Sequence, residues 1–281
     1  MSEAAIRAVI FAAIFGTMAL LEVAAPRRPL GYGRKWRWVT NLSIVVLDSV
    51  IVRIVFPMAA VGAALWANGQ GIGLLPGLGI PPLVAGVIAF VVLDFAVWLE
   101  HLVSHKWPIL WRIHRMHHAD PDIDVTTALR FHPLEILISM VWKAGIVVAL
   151  GAPALSVLIF EAVLNGGAMF NHSNVRLPGW LDRLLRPVIV TPDMHRVHHS
   201  VIRRETDSNY GFNFSFWDRI FRTYVAEPAR GHLGMTIGLS SFQNEAPTGI
   251  LWSLLLPFRA NSRDGNEDEP ETPETAVRPP Q

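Results

Sequence analysis

Ten of the eleven histidines in this 281-residue chain lie between His101 and His199, most of them in three short clusters. These read His101-x3-His105, His114-x2-His117-His118 and His195-x2-His198-His199. Residues three and four apart share one face of a helix, so each cluster presents two or three imidazoles in one direction. That many convergent neutral imidazoles suit transition-metal ions, and more than one of them. Whatever the chain folds into must bring distant segments together around this region.

The rest of the chain says in what solvent that happens. It is 51% hydrophobic and only 17% charged, against about 25% charged in average soluble domains. Mean hydropathy is +0.34. The composition therefore points to a membrane protein. A net charge of +1, with no basic stripe, gives no footprint for nucleic acid. Cysteine is absent, which excludes disulfides, thiolate-held zinc, iron–sulfur clusters and a cysteine nucleophile. Any metal is held by nitrogen and oxygen.

Apolar runs of membrane length recur along the chain. The first covers about Ala4 to Ala25. Val23-Ala24-Ala25 loosely resembles a small-residue cleavage site, but the length and the runs that follow favour a retained helix. A basic connector with Arg27, Arg28, Arg34, Lys35 and Arg37 leads to a second span, about Leu42 to Trp66, which carries Asp48 and Arg53. Charges are costly there, so a structural ion pair inside a bundle, with each other or with a third partner, is the expected role. A Gly/Pro-rich stretch, Gly69 to Pro82, precedes a third span, about Pro81 to Leu99, that delivers Asp94 and Glu100 just before His101. Two shorter runs, Leu134–Leu150 and Leu155–Phe170, are broken by Gly151-Ala152-Pro153 and read as a helical hairpin that crosses fully or dips partway. The predicted fold is all-α: an integral membrane bundle of about three long spans plus the hairpin, carrying a histidine-rich di-metal cap. The predicted organisation is a first span and connector at 1–38, a catalytic domain at 39–258 and a disordered acidic, Pro-rich tail at 259–281.

Loop charge orients the bundle. Basic residues crowd the connector at 26–38 and the histidine segments, whereas the stretch at 67–80 and the hairpin tip carry none. Under the positive-inside rule all three clusters face the cytoplasm. A zinc-protease His-Glu-x-x-His motif and the Glu-x-x-His pairs of soluble carboxylate di-iron bundles are both absent. Vicinal His-His pairs fit poorly with isolated axial haem ligands. What remains is an imidazole-rich pocket at the cytoplasmic edge of a helical bundle, open enough to bind oxygen.

The ordered set Asp94…His101-x3-His105…Leu110-Trp111…His114-x2-His117-His118, Arg130-Phe131-His132-Pro133-x-Glu135, Asn171-His172-Ser173-Asn174, His195-x2-His198-His199, Asn209-Tyr210-Gly211 and Phe216-Trp217-Asp218-Arg219 resembles the fatty acid hydroxylase/sterol desaturase superfamily. The resemblance covers roughly residues 35 to 258. It implies a membrane-bound, non-haem di-iron oxygenase that uses O2 and external electrons to hydroxylate or desaturate a C–H bond of a lipid such as a sterol or fatty acyl chain. The ligands it implies are His101, His105, His114, His117, His118, His172, His195, His198 and His199, around two iron ions that form the catalytic centre. Asp94 and Asp193 are candidates to support the ligands from behind, and His132 is either a tenth ligand or such a supporting donor. Leu102 departs from the arginine that many members carry after the first histidine. The electron donor is expected to be a separate reductase, cytochrome b5-like protein or ferredoxin, and the location a bacterial inner membrane. His232, outside the boxes, reads as a surface or fold residue. The competing readings are a non-oxidative membrane metal binder or transporter and a metal-dependent lipid hydrolase.

Overall fold

The computed structural model describes residues 3–243 and 249–259; the tail assigned to 259–281 lies, beyond Arg259, outside them. Among the described residues the regular structure is helical, with isolated bridges in place of strands. Helix α1 (Glu3–Ala24) is followed by α2 (Lys35–Val55), α3 (Ala59–Gly69), the short α4 (Leu74–Gly77) and α5 (Pro82–Lys106). After α6 (Pro108–His118) the hairpin α7 (Pro133–Leu150) and α8 (Ala154–Asn171) forms, then the short α9 (Gly179–Leu185) and α10 (Pro192–His198). Five stretches are long and apolar enough to cross a membrane: α1, the α2–α4 stretch, α5, α7 and α8. Large apolar side chains such as Leu20, Ile54, Leu83, Val141 and Leu155 point outward, an arrangement suited to lipid rather than water.

The predicted second span is not one helix. It breaks at Phe56-Pro57-Met58, and Ala59 takes φ 48°. Pro57 has no N–H to donate, and its ring collides with the carbonyl four residues back, so α2 ends there. Of the two partners open to them, Asp48 and Arg53 do not take each other. Five residues apart on a helix is about 140° around the axis; Asp48 is buried while Arg53 is exposed and donates to the Pro57 carbonyl (3.4 Å).

The bundle centres on α5, which packs on α6, α7 and α8, while α1 lies on α8 and α2 on α7. Its core is built on small side chains, Ala60, Ala64, Ala85 and Ala89, around Leu93, Val147 and Phe160, which lets the backbones approach closely. At one end α3 packs on α7 and α8, and the Gly/Pro-rich stretch covers the hairpin tip. There Gly151 has φ 65°, and a Cβ on it would lie 2.6 Å from the Ile72 carbonyl, so glycine serves both the helix stop and the close approach. The hairpin helices are 18 residues each, about 27 Å at 1.5 Å per residue, close to a full crossing. The histidines gather at the opposite end.

That end is braced by a buried polar network. Arg37 on α2 donates to Asp120 (2.5 Å) and Asp124 (2.6 Å) in the loop after α6. Arg130 in the same loop donates to the Met116 carbonyl (2.9 Å), Asn41 Oδ1 (3.0 Å) and Ser253 Oγ (2.7 Å). Burial alone would raise the Asp120 carboxyl, but Arg37 holds it below its ordinary range, so the loop stays ion-paired at neutral pH. Glu22, near the end of α1, accepts from the amides of Val125 and Asn174, both at 2.7 Å.

Candidate metal centre

Nine of the ten clustered histidines converge into two abutting groups. His101 and His105 of α5, His114 and His118 of α6 and His198 of α10 form a group of five; His117, His172, His195 and His199 form a group of four. Within each group one ring nitrogen per residue lies within 4.8 Å of all the others. Helix α6 gives His114 and His118, four apart, to the first group and His117 to the second. The α10 segment reverses this, giving His195 and His199 to the second group and His198 to the first. Neighbouring helical residues diverge by about 100°, so each vicinal His-His pair serves two centres at once. The groups touch, with the ring centroids of His118 and His199 4.7 Å apart.

Hydrogen bonds fix which nitrogen faces inward. His101 Nδ1 lies 2.8 Å from the Tyr210 carbonyl, His198 Nδ1 2.6 Å from that of Ser208, His172 Nδ1 2.7 Å from that of Ala168 and His117 Nδ1 3.3 Å from that of Arg130. His114 Nδ1 meets Glu135 Oε1 at 2.6 Å. A carbonyl only accepts, so Nδ1 carries the proton and Nε2 presents its lone pair. His117 Nε2 lies 3.0 Å from His172 Nε2, two lone pairs facing each other with no proton between them. The Nε2 atoms of His101, His114, His118, His198 and His199 are buried without a hydrogen-bond partner. An array of unpaired inward lone pairs is costly for a protein alone and is the donor set a cation requires. The residues therefore fit a pair of metal ions.

Burial keeps six of these imidazoles, those of His117, His118, His172, His195, His198 and His199, neutral. It lowers His117, His118, His195 and His199 well below the ordinary value, His172 to about 4 and His198 to about 3. Neutral imidazole is the ligating form.

The other predicted residues stand elsewhere. Asp94 shares a face with His101 but accepts from Asn213 Nδ2 (2.9 Å) and Trp217 Nε1 (2.8 Å). It thus holds the loop whose Tyr210 carbonyl anchors His101, and acts at one remove. Asp193 pairs with Arg27 (2.9 Å) and with Arg196, bracing α10. His132 belongs to neither group: its side chain accepts from the Leu134 amide (3.1 Å) and caps α7, and Nε2 lies 3.2 Å from the Leu254 carbonyl. His232 is buried beside Glu227 (3.0 Å), outside both groups. Glu100 accepts from Ser139 (3.1 Å).

Two contributors carried no role in the sequence reading. Glu135 buttresses His114, and its signal was present in His132-Pro133-x-Glu135, where the acid stands one turn after the cap. Asp207 lies 3.6 Å from His105 Nδ1 and 2.8 Å from Lys106; nothing local in the sequence marks it. Asn209-Tyr210-Gly211 earns its motif by geometry: Asp218 accepts from the Tyr210 and Gly211 amides, both at 2.9 Å. A Cβ on Gly211 would sit 2.8 Å from the Phe214 carbonyl.

A cavity of about 410 Å³ lies against this centre. Helix stripes three and four residues apart turn toward it: Val45, Asp48, Ser49 and Val52 from α2, Val97, Glu100, His101 and Ser104 from α5, and Glu161, Leu164, Asn165 and Ala168 from α8. His101 and His114 are its two imidazole walls. The group of four does not border it.

Residues 86–223 match the fatty acid hydroxylase family. The ornithine lipid hydroxylase OlsE of Rhizobium tropici is 29% identical over 180 residues, covering 63% of this chain and 51% of that protein. The alkylglycerol monooxygenases of Homo sapiens and Xenopus tropicalis are each 28% identical, over 160 and 158 residues, covering 55% and 56% of this chain and 34% of theirs. The matched stretch thus spans between a third and a half of these relatives. No solved structure matches. With its ordered histidine boxes folded onto one helical bundle, the chain is similar to the fatty acid hydroxylase family over residues 86–223, just under half of its length.

Proposed function

We propose that the nine histidines hold two iron ions, and that the protein is an integral membrane oxygenase hydroxylating a lipid. The observation that carries this reading is the pair of abutting imidazole groups with one cavity open to the first of them. When bound, the iron pair supplies the activation of O2 that side chains cannot provide. The overall change is R–H + O2 + 2 e⁻ + 2 H⁺ → R–OH + H2O, with the electrons coming from a separate reductase, cytochrome b5-like protein or ferredoxin.

The chain's own residues do the positioning. The carbonyls of Tyr210, Ser208, Ala168 and Arg130 and the Glu135 carboxylate hold the rings so that Nε2 faces inward. The enclosing helices keep water from the centre, and the cavity brings a lipid carbon against His101 and His114. Relatives named hydroxylase and monooxygenase support hydroxylation over desaturation. The basic residues at the histidine end, Lys106, Arg112, Arg176, Arg183 and Arg196 among them, support a cytoplasmic site, in a bacterial inner membrane.

The test is elemental analysis and turnover of the purified protein beside a His117→Ala/His198→Ala variant. About two irons per chain, and a lipid product gaining one oxygen only when O2 and reductant are both present, is the expected result. Product formation without O2 would instead mark a hydrolase, and metal binding without product a carrier.

A further inference from the structure

The cavity beside His101 and His114 is an odd container for a plain hydrocarbon. Asp48, Glu100, Glu135 and Glu161 line it, against only Arg7 and Lys143. Arg7 is engaged by Glu161 at 2.7 Å, and Lys143 lies close enough to Glu100 to interact with it electrostatically. That leaves Asp48 and Glu135 in excess. Asp48 is 6% exposed, and its Oδ1 is buried without a hydrogen-bond donor; so is Glu135 Oε2, although Oε1 of the same group is used by His114. Buried acceptors left facing alkane would be costly. They call for a ligand that brings donors.

The cavity also has a direction. A second, adjoining groove of about 570 Å³ shares Phe11, Val45 and Ser49 with it and continues past Val46, Val50, Arg53 and Ile54. This groove is mostly apolar, with Ser49 and Arg53 as its polar members, and runs between α1 and α2, which pack on α8 and α7 respectively. A chain fits the groove and a polar head fits the cavity.

We propose that the site takes an amphiphile head first: a head bearing hydrogen-bond donors, hydroxyl or ammonium, is received by Asp48 and Glu135, and its alkyl chain trails between α1 and α2 into the bilayer. A carboxylate-headed lipid is disfavoured, because it meets the same acids with like charge. Taken together with the proposed oxygenase function, on which this part rests, the carbons oxidised are those within a few bonds of the head rather than at the tail. The head preference itself is a binding property and needs no turnover.

The experiment uses the full chain in phosphatidylcholine nanodiscs. Unlabelled 1-O-hexadecylglycerol, hexadecylamine and hexadecanoate compete against tritiated 1-O-hexadecylglycerol, and metal content is measured in parallel. At least one of the two donor-headed probes is expected to compete about tenfold better than hexadecanoate, the scale of a hydrogen bond to a charged group; which of them leads identifies the head as hydroxyl or ammonium. Asp48→Asn is expected to erase most of that preference with metal content unchanged. Should Asp48→Asn not fold, Lys143→Gln probes the same wall and is expected to widen the preference by removing a cation. Hexadecanoate competing as well as both donor-headed probes, or a preference indifferent to the variant that folds, overturns the proposal. The metal-stripped His117→Ala/His198→Ala protein separates the two readings: the head preference persists there if the cavity reading is right, whatever becomes of the oxygenase reading.

Discussion

The two histidine groups are built from the same parts and differ in what surrounds them. The group of five draws on α5, α6 and α10, borders the cavity through His101 and His114, and has two carboxylates beside it, Glu135 and Asp207. The group of four has every member fully buried, has no carboxylate bonded to its imidazoles, and does not touch the cavity. One group faces the cavity and the other is walled in. Near-identical ligand chemistry can thus be given unequal duties by the walls alone. The lesson is that access, rather than ligand type, distinguishes the two positions.

The strongest way to break this comparison is to remove one ligand from each side. His195→Ala is expected to cost the enclosed centre its ion, taking metal content from about two per chain to one and turnover down ~100-fold or more. His105→Ala should do the same to the open centre. Elemental analysis with a turnover assay reads both, and equal loss of both ions in either variant would show that the groups bind as one unit.

Glu135→Gln sharpens the difference, because only the open centre uses this carboxylate. Metal affinity at that centre is expected to fall ~10–100-fold, with the enclosed one unaffected; a chelator titration that removes one ion earlier than the other is the readout.

Acid should weaken both groups. The folded His172 imidazole takes its proton only near pH about 4 and His198 near about 3, whereas an unfolded histidine does so near 6.5. Between those values the unfolded chain binds more protons, so stability is full above pH ~6.5 and is lost as pH falls through that window. Thermal unfolding of metal-stripped protein across pH 7 to 4 should show Tm dropping steadily; a flat profile would mean that the rings are protonated in the folded state. The smallest effect is expected at His132→Ala, which removes an α7 cap at about 1 kcal/mol and leaves metal content unchanged.

Much of this was legible in the sequence, for reasons particular to each element. The hairpin announced itself by apolar length and a Gly-Ala-Pro break, and the long spans by length and composition. The nine histidines that converge were all singled out by spacing and resemblance. Their division into five and four was not, since it depends on how α6 and α10 meet, although the divergence of adjacent helical residues hinted that His117-His118 and His198-His199 would point to different partners. The break at Pro57 was visible as a residue yet passed over, because hydropathy stays high on both sides of it. His132 and Asp94 were harder: a histidine before proline reads equally as ligand or cap, and only the loop from Asn209 to Trp217, folded back from over a hundred residues away, shows what Asp94 holds.

The Glu22 carboxylate gains a wider meaning from this. It binds the amides of Val125 and Asn174, one a few residues beyond His117 and His118, the other two residues beyond His172. A single acid in the first helix therefore sets the spacing of two histidine-bearing segments, from outside the stretch at 86–223 that matches the family. Chimeras cut at that boundary would inherit every clustered histidine while losing the strut that sets the distance between them. For anyone recombining these proteins, the unit of inheritance is the centre together with its N-terminal helix.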